Sequence, residues 1–153
     1  MKNTAIMPEI KELYPKMNSR HQKDHNEFKG IGFAFSNKQF TEMCTKLKIK
    51  EENAKEKLFS IGGGGYILKD RSKAFHDMID RHHEEAKEAM LDSEFAYSAF
   101  NYELGNHEYI VTYSVESTLD SLGLSFEDIN SNKMLYEQLQ KAKKYQIENS
   151  CWN

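Results

Sequence analysis

Between Ser72 and Tyr113 apolar residues recur every three or four positions, and the same stretch holds four of the six histidines. Whatever else the chain builds, it must pack two helices here and find a place for imidazoles on their faces. In the first helix Phe75, Ile79, His82, Ala86 and Met90 form a core-facing stripe, while His76, Asp80 and His83 repeat at i, i+4 and i+7 on the stripe beside it. In the second, Asp92 is a good N-cap, and Ala96, Phe100, Glu103 and His107 form a stripe that begins apolar and ends in a carboxylate and an imidazole. A turn near Leu91 to Ser93 makes the pair an antiparallel hairpin, which would bring His76 and Asp80 towards Glu103 and His107.

That is a two-plus-two set of nitrogen and oxygen donors, suited to a divalent transition metal, Zn2+ above all. With the edge residue His82 included, the candidate metal ligands are His76, Asp80, His82, Glu103 and His107. One feature conflicts with it: Gly105 and Asn106 look like a helix C-cap, which would carry His107 off the helix. The competing reading is of one or two buried histidines hydrogen-bonded to nearby carboxylates on an otherwise solvated face.

A chain of 153 residues corresponds to one domain, 1–153, with a core that buries about 70% of the unfolded surface. Two cysteines make no disulfide framework; Cys44 shares a helical face with Phe40 and Leu47 and reads as a reduced core residue. With no apolar stretch of signal-peptide or membrane-span length, the expected location is the cytoplasm. The net charge of −3 hides a division: residues 1–50 carry ten Lys or Arg against five Asp or Glu, a balance of +5, and the remainder stands at −8. Most of the deficit lies between Asp70 and Asp128, and an acidic face there repels nucleic acid and attracts basic protein surfaces. Direct nucleic-acid binding is therefore not expected. A solvated helix face is the plain alternative.

The first 28 residues are the least determined: Pro8 to Phe28 reads as helix interrupted at Pro15, with His21 and His25 as an exposed pair. Ile31 to Phe35 suits a buried strand, followed by a capping box at Ser36 and Gln39 and a helix faced by Phe40, Met43, Cys44 and Leu47. Gly30 and Gly32 precede that strand instead of following it, which excludes a dinucleotide-binding loop. Glu51 to Phe59 reads as a short charged helix. The four glycines Gly62 to Gly65 lack the Gly-Lys-Ser/Thr of a phosphate loop and read as a turn into a strand at Tyr66 to Leu68.

Tyr109 to Tyr113 has the composition of a third strand. Val115, Leu119 and Leu122 then form a helix ending at Gly123, with Leu124 completing a Schellman cap and Ser125 starting the next helix. The outline is that of a helix-turn-helix, but Glu127 and Asp128 suit packing better than a phosphate-lined groove. The last helix, Lys133 to Ile147, buries Leu135, Leu139 and Ala142 and is basic at its end; the docking of Trp152 is open. The fold class is α+β: one compact, mainly helical domain with a small sheet of two or three short strands.

The strings IGFAFSNKQF (Ile31 to Phe40), SIGGGGYI (Ser60 to Ile67), AFHDMIDRH (Ala74 to His82), ELGNHEY (Glu103 to Tyr109) and TLDSLGLSFEDI (Thr118 to Ile129) together resemble a family of small uncharacterised proteins. Its members are encoded by phages and mobile elements of low-GC Gram-positive bacteria, and the resemblance runs from Gly30 to Tyr145. It implies a setting and no reaction. A small acidic phage protein without an enzyme signature is similar in kind to anti-CRISPR inhibitors, an analogy of setting only. His83 stands where the resemblance leads one to expect an acidic or polar residue. The first expectation is thus an anti-defence protein of the bacterial cytoplasm that inhibits a host CRISPR effector nuclease, or another basic nucleic-acid-binding protein, by direct binding, with any zinc structural. The alternative is a metal-dependent hydrolase acting on nucleotides or nucleic acid. A transcriptional regulator using Val115 to Asn132 is third, since that region is acidic.

Overall fold

The computed structural model describes residues 8–150; Cys151 and Trp152 lie outside the described residues. In chain order the elements are α1 (Pro8–Lys11), α2 (Leu13–Glu27), β1 (Ile31–Phe33), α3 (Asn37–Lys46), α4 (Ala54–Lys57), β2 (Leu58–Gly62), β3 (Gly65–Leu68) and α5 (Ser72–Ala89). They continue with α6 (Ser93–Asn106), α7 (Tyr109–Thr112), α8 (Glu116–Ser121), α9 (Phe126–Asn130) and α10 (Lys133–Glu148). The fold is α+β and mainly helical, with one three-stranded antiparallel sheet of order β1-β3-β2. Among the described residues no helix is long and apolar enough to cross a membrane. The chain divides into two compact units, one formed by Met1–Gln22 with Glu85–Asn153, the other by Lys23–Glu84.

In the Lys23–Glu84 unit the register pairs Ile31 and Phe59 with Ile67 from either side, so these three share a face. The other face carries Leu58, Tyr66 and Leu68, which pack with Met43 and Cys44 of α3 and with Ala54. Cys44 is a free thiol, and burial raises its pKa. At Ser36 the hydroxyl accepts from the Gln39 N–H as expected, but the Gln39 side chain accepts from the Phe35 N–H and not from Ser36, so the capping box is only half made. The charged helix expected over Glu51 to Phe59 ends at Lys57, because Leu58 and Phe59 pair with β3 and open β2. That pairing is non-local and outweighs the local helical pattern.

In the other unit α6 is the centre. Phe95 to Phe100 are all buried, and Ala96, Tyr97, Phe100 and Leu104 join Leu119, Ile129, Leu135, Leu139 and Ala142 in one core. The opposite side of α6 offers Phe95 and Ala99 to Tyr14 and Met17 of α2. The chain breaks at Glu12, between α1 and α2, and Pro15 sits harmlessly in the first turn of α2. Ser98, fully buried, spans that break: its hydroxyl donates to the Lys11 carbonyl at 2.9 Å and accepts from the Tyr14 N–H at 3.0 Å. The strand expected at Tyr109 to Tyr113 is instead α7. Glu108 turns left-handed at φ 55°, and the Tyr113 N–H donates to the Tyr109 carbonyl at 2.7 Å, closing one helical turn. The Schellman cap is present as expected, with the Leu124 N–H on the Leu119 carbonyl at 2.9 Å and the Gly123 N–H on that of Asp120 at 3.1 Å. Ser125 and Asp128 form a full capping box.

Candidate functional site

The most developed polar cluster lies at the C-terminal end of α6. Asp92 caps the helix start, accepting from the Phe95 N–H at 2.9 Å, and this sets the phase that turns Glu103 inward with Phe100 and Leu104. Glu103 is only 6% exposed. A carboxylate so buried must be hydrogen-bonded or neutralised. The Tyr14 phenol donates to its Oε2 at 2.5 Å, and the Asn106 amide to its Oε1 at 3.3 Å. His107 is the C-cap of α6, so it stays one turn from Glu103, with Nε2 3.5 Å from Oε1. The same Nε2 lies 2.8 Å from Ser121 Oγ at the end of α8. Burial holds the Tyr14 phenol well above its ordinary pKa and the adjacent Glu103 carboxylate adds to this, against the opposing hydrogen bond with Asn18, so Tyr14 remains a donor.

Serine, histidine and glutamate side by side invite comparison with a nucleophilic relay. In such a relay the carboxylate orients one imidazole nitrogen and the other takes the proton from serine. Here Nε2 faces both Glu103 and Ser121. The geometry is that of a clamp joining α2, α6 and α8.

The other candidate ligands are placed differently. His76 and Asp80 are exposed on α5, and His76 Nδ1 lies 2.8 Å from the Ser72 carbonyl. His82, two residues beyond Asp80, points about 200° away around the helix. It is 8% exposed, with Nε2 2.8 Å from Asp24 Oδ2 and its ring centroid 5.5 Å from that of His25. His83 is exposed. Among the described residues no three His, Cys, Asp or Glu side chains come together as a group able to hold a metal. The pair Glu103 and His107 is brought together; His76, Asp80 and His82 belong to the Lys23–Glu84 unit.

The expected exposed pair His21 and His25 is corrected: both are partly buried. His21 Nε2 lies 2.9 Å from Glu85 Oε1, and His25 stands edge-on to Phe75 with centroids 5.8 Å apart. Arg20 hydrogen-bonds Glu85 through both terminal nitrogens, and these bonds, with that from His21, lower the Glu85 carboxyl from 4.5 to about 2. The signal for the His21 contact was its spacing from Tyr14 and Met17, which puts the three on one face of α2.

The surface of the Glu103-bearing unit has a second character. From Glu88 to Asn132 the chain has nine acidic residues and no Lys or Arg. Only Glu103 among the nine is buried; the other eight are exposed, including Glu94, Glu108, Glu116, Asp120 and Glu127. Large apolar side chains stand exposed in the same stretch, Val111 at 65%, Tyr113 at 67% and Phe126 at 55%.

No curated protein and no solved structure matches this chain. A family model does match, over residues 13–145, and the chain therefore belongs to DUF7659, a family of unknown function.

Proposed function

We propose that the chain is a binding protein whose acidic helical surface docks on a basic face of another protein. The observation that carries this reading is the exposed stretch from Glu88 to Asn132, eight solvent-facing carboxylates without a Lys or Arg among them, interrupted by exposed Val111, Tyr113 and Phe126. An anionic field steers encounter with a cationic surface, and apolar side chains within it supply the contact area that charges alone do not. Proteins that hold nucleic acid present such cationic surfaces. Together with the resemblance to phage and mobile-element proteins, this makes the partner a host CRISPR effector nuclease, or another basic nucleic-acid-binding protein, in the bacterial cytoplasm. The chain acts by occupying the channel that nucleic acid would use. The Glu103 clamp supports the reading by fixing α6 and α8, which carry part of the acidic surface.

The test is a cleavage assay with purified effector nucleases from Gram-positive bacteria, with and without the chain, alongside direct binding at two salt concentrations. Inhibition with affinity that falls as salt rises is the expected result; neither binding nor inhibition across the panel would sink the proposal. The metal-dependent hydrolase remains the alternative. Only the Glu103 and His107 pair speaks for it, and no observation favours it over binding.

A further inference from the structure

The Lys23–Glu84 unit carries a surface of opposite character. Phe33, Phe59 and Ile61 lie on the sheet face shared with Ile67 and stand 60%, 48% and 44% exposed. Phe35, just beyond β1, is 75% exposed. The glycines of the turn leave room beside these side chains. A Cβ at Gly65 would fall 2.9 Å from Ile61 Cγ1 and 3.0 Å from Phe33 Cε1, and one at Gly64 would fall 2.4 Å from Phe35 Cε1. Either Cβ would push a neighbouring side chain aside, so glycine here lets Phe33, Phe35 and Ile61 lie close against the turn.

Within the strand segments the charges have one sign, and Glu42 lies beside Phe33 at their edge. The segments 28–41 and 57–69, which contain all three strands and the turn between β2 and β3, hold four lysines and no Asp or Glu. Lys69 Nζ sits 4.9 Å from the centre of the Phe59 ring. The same lysine lines a cleft of about 540 Å3 with Lys48, Lys50 and Lys57, where Glu56 and Asp70 are the acidic members. The cleft reaches Leu68 of the opposite sheet face, and Lys69 is the residue that it shares with the aromatic face. A symmetric contact with a second copy would set lysines against lysines, so charge complementarity selects an anionic occupant. Exposed aromatic rings select one with planar apolar groups.

We propose that this sheet is a stacking platform for single-stranded nucleic acid, with bases on Phe33, Phe35 and Phe59 and phosphates along Lys57 and Lys69. The acidic balance of the whole chain argues against such a ligand, but the balance is segregated: the platform segments are purely basic and the stretch from Glu88 to Asn132 purely acidic. Stacking on an aromatic ring tolerates any base, and lysine contacts to phosphate weaken as salt rises.

The test uses the full chain and fluorescence anisotropy of labelled 12-nucleotide single strands, DNA and RNA, over a salt series, with the matching duplex and anionic phospholipid vesicles as competitors. Because the rings are exposed, Phe33→Ala and Phe59→Ala keep the fold, which circular dichroism checks. The expected result is single-strand binding that loses about tenfold in affinity with each ring removed, as stacking energies imply, and weakens with Lys57→Gln or Lys69→Gln. Absence of binding at low salt overturns the proposal. So does binding unchanged by the ring substitutions, which would be charge attraction alone, and so does capture by vesicles in preference to the strand, which would make the face a membrane contact.

Discussion

Glu103 is the residue on which most depends, because it is a buried carboxylate whose partner Tyr14 is 89 positions away in the chain. Tyr14→Phe keeps the ring packed against Phe95 and removes the donor, so it should cost about 2 kcal/mol in denaturant unfolding, the range for a hydrogen bond to a charged group. Ser121→Ala, at an exposed hydroxyl, should cost much less; equal losses would mean that the His107 contact holds the clamp as strongly as Tyr14 does. Glu85 gives a second check. Its carboxyl is held at about 2 by Arg20 and His21, so the folded state binds this proton less readily than the unfolded state. The stabilisation is fully present above about 4.5 and is lost as pH falls through about 2. Carbon-detected titration should place the Glu85 transition near 2 and move it towards 4.5 in Arg20→Ala; an unmoved transition would assign the shift elsewhere. Neither partnership was legible in the sequence. The stripe that turns Glu103 inward was, as was the one that buries His82, but periodicity names a face and not what the face meets. His82 meets Asp24, 58 residues away, where a metal had been expected.

At the scale of elements, what local chemistry decides was readable and what pairing decides was not. Ser36, Asp92 and Ser125 cap α3, α6 and α9 as the sequence implies, since a cap needs only its own next three residues. Gly123 ends α8 for the same reason: at φ 68° it holds the left-handed position of the Schellman cap. No atom lies within 4 Å of a Cβ built there, so Gly123→Ala should lower stability by about 1 kcal/mol through backbone strain alone. A thermal melt checks it, and no loss would mean that the turn relaxes. β2 was hidden because the charged run before it looks helical, and only its register against β3, Phe59 on Ile67, makes it a strand. Tyr109 to Thr112 erred the other way: strand-like residues with no strand beside them close a helical turn after Glu108.

Over the whole molecule the charge is sorted along the chain, with lysines around the sheet segments and carboxylates from Glu88 to Asp128. Composition showed the imbalance; that eight of the nine acids from Glu88 to Asp128 face solvent needed the structure, since the pattern allows any of them to turn inward as Glu103 does. Glu116 and Asp120 stand one turn apart on α8, both exposed. The measurement that bears most directly on the account is therefore the association rate of the chain with an effector nuclease that it inhibits, compared with the Glu116→Lys, Asp120→Lys double variant at low and high salt. The account predicts that the variant associates at least tenfold more slowly at low salt, that the gap narrows as salt screens the field, and that inhibition weakens in step. Unchanged association and full inhibition by the variant would contradict it.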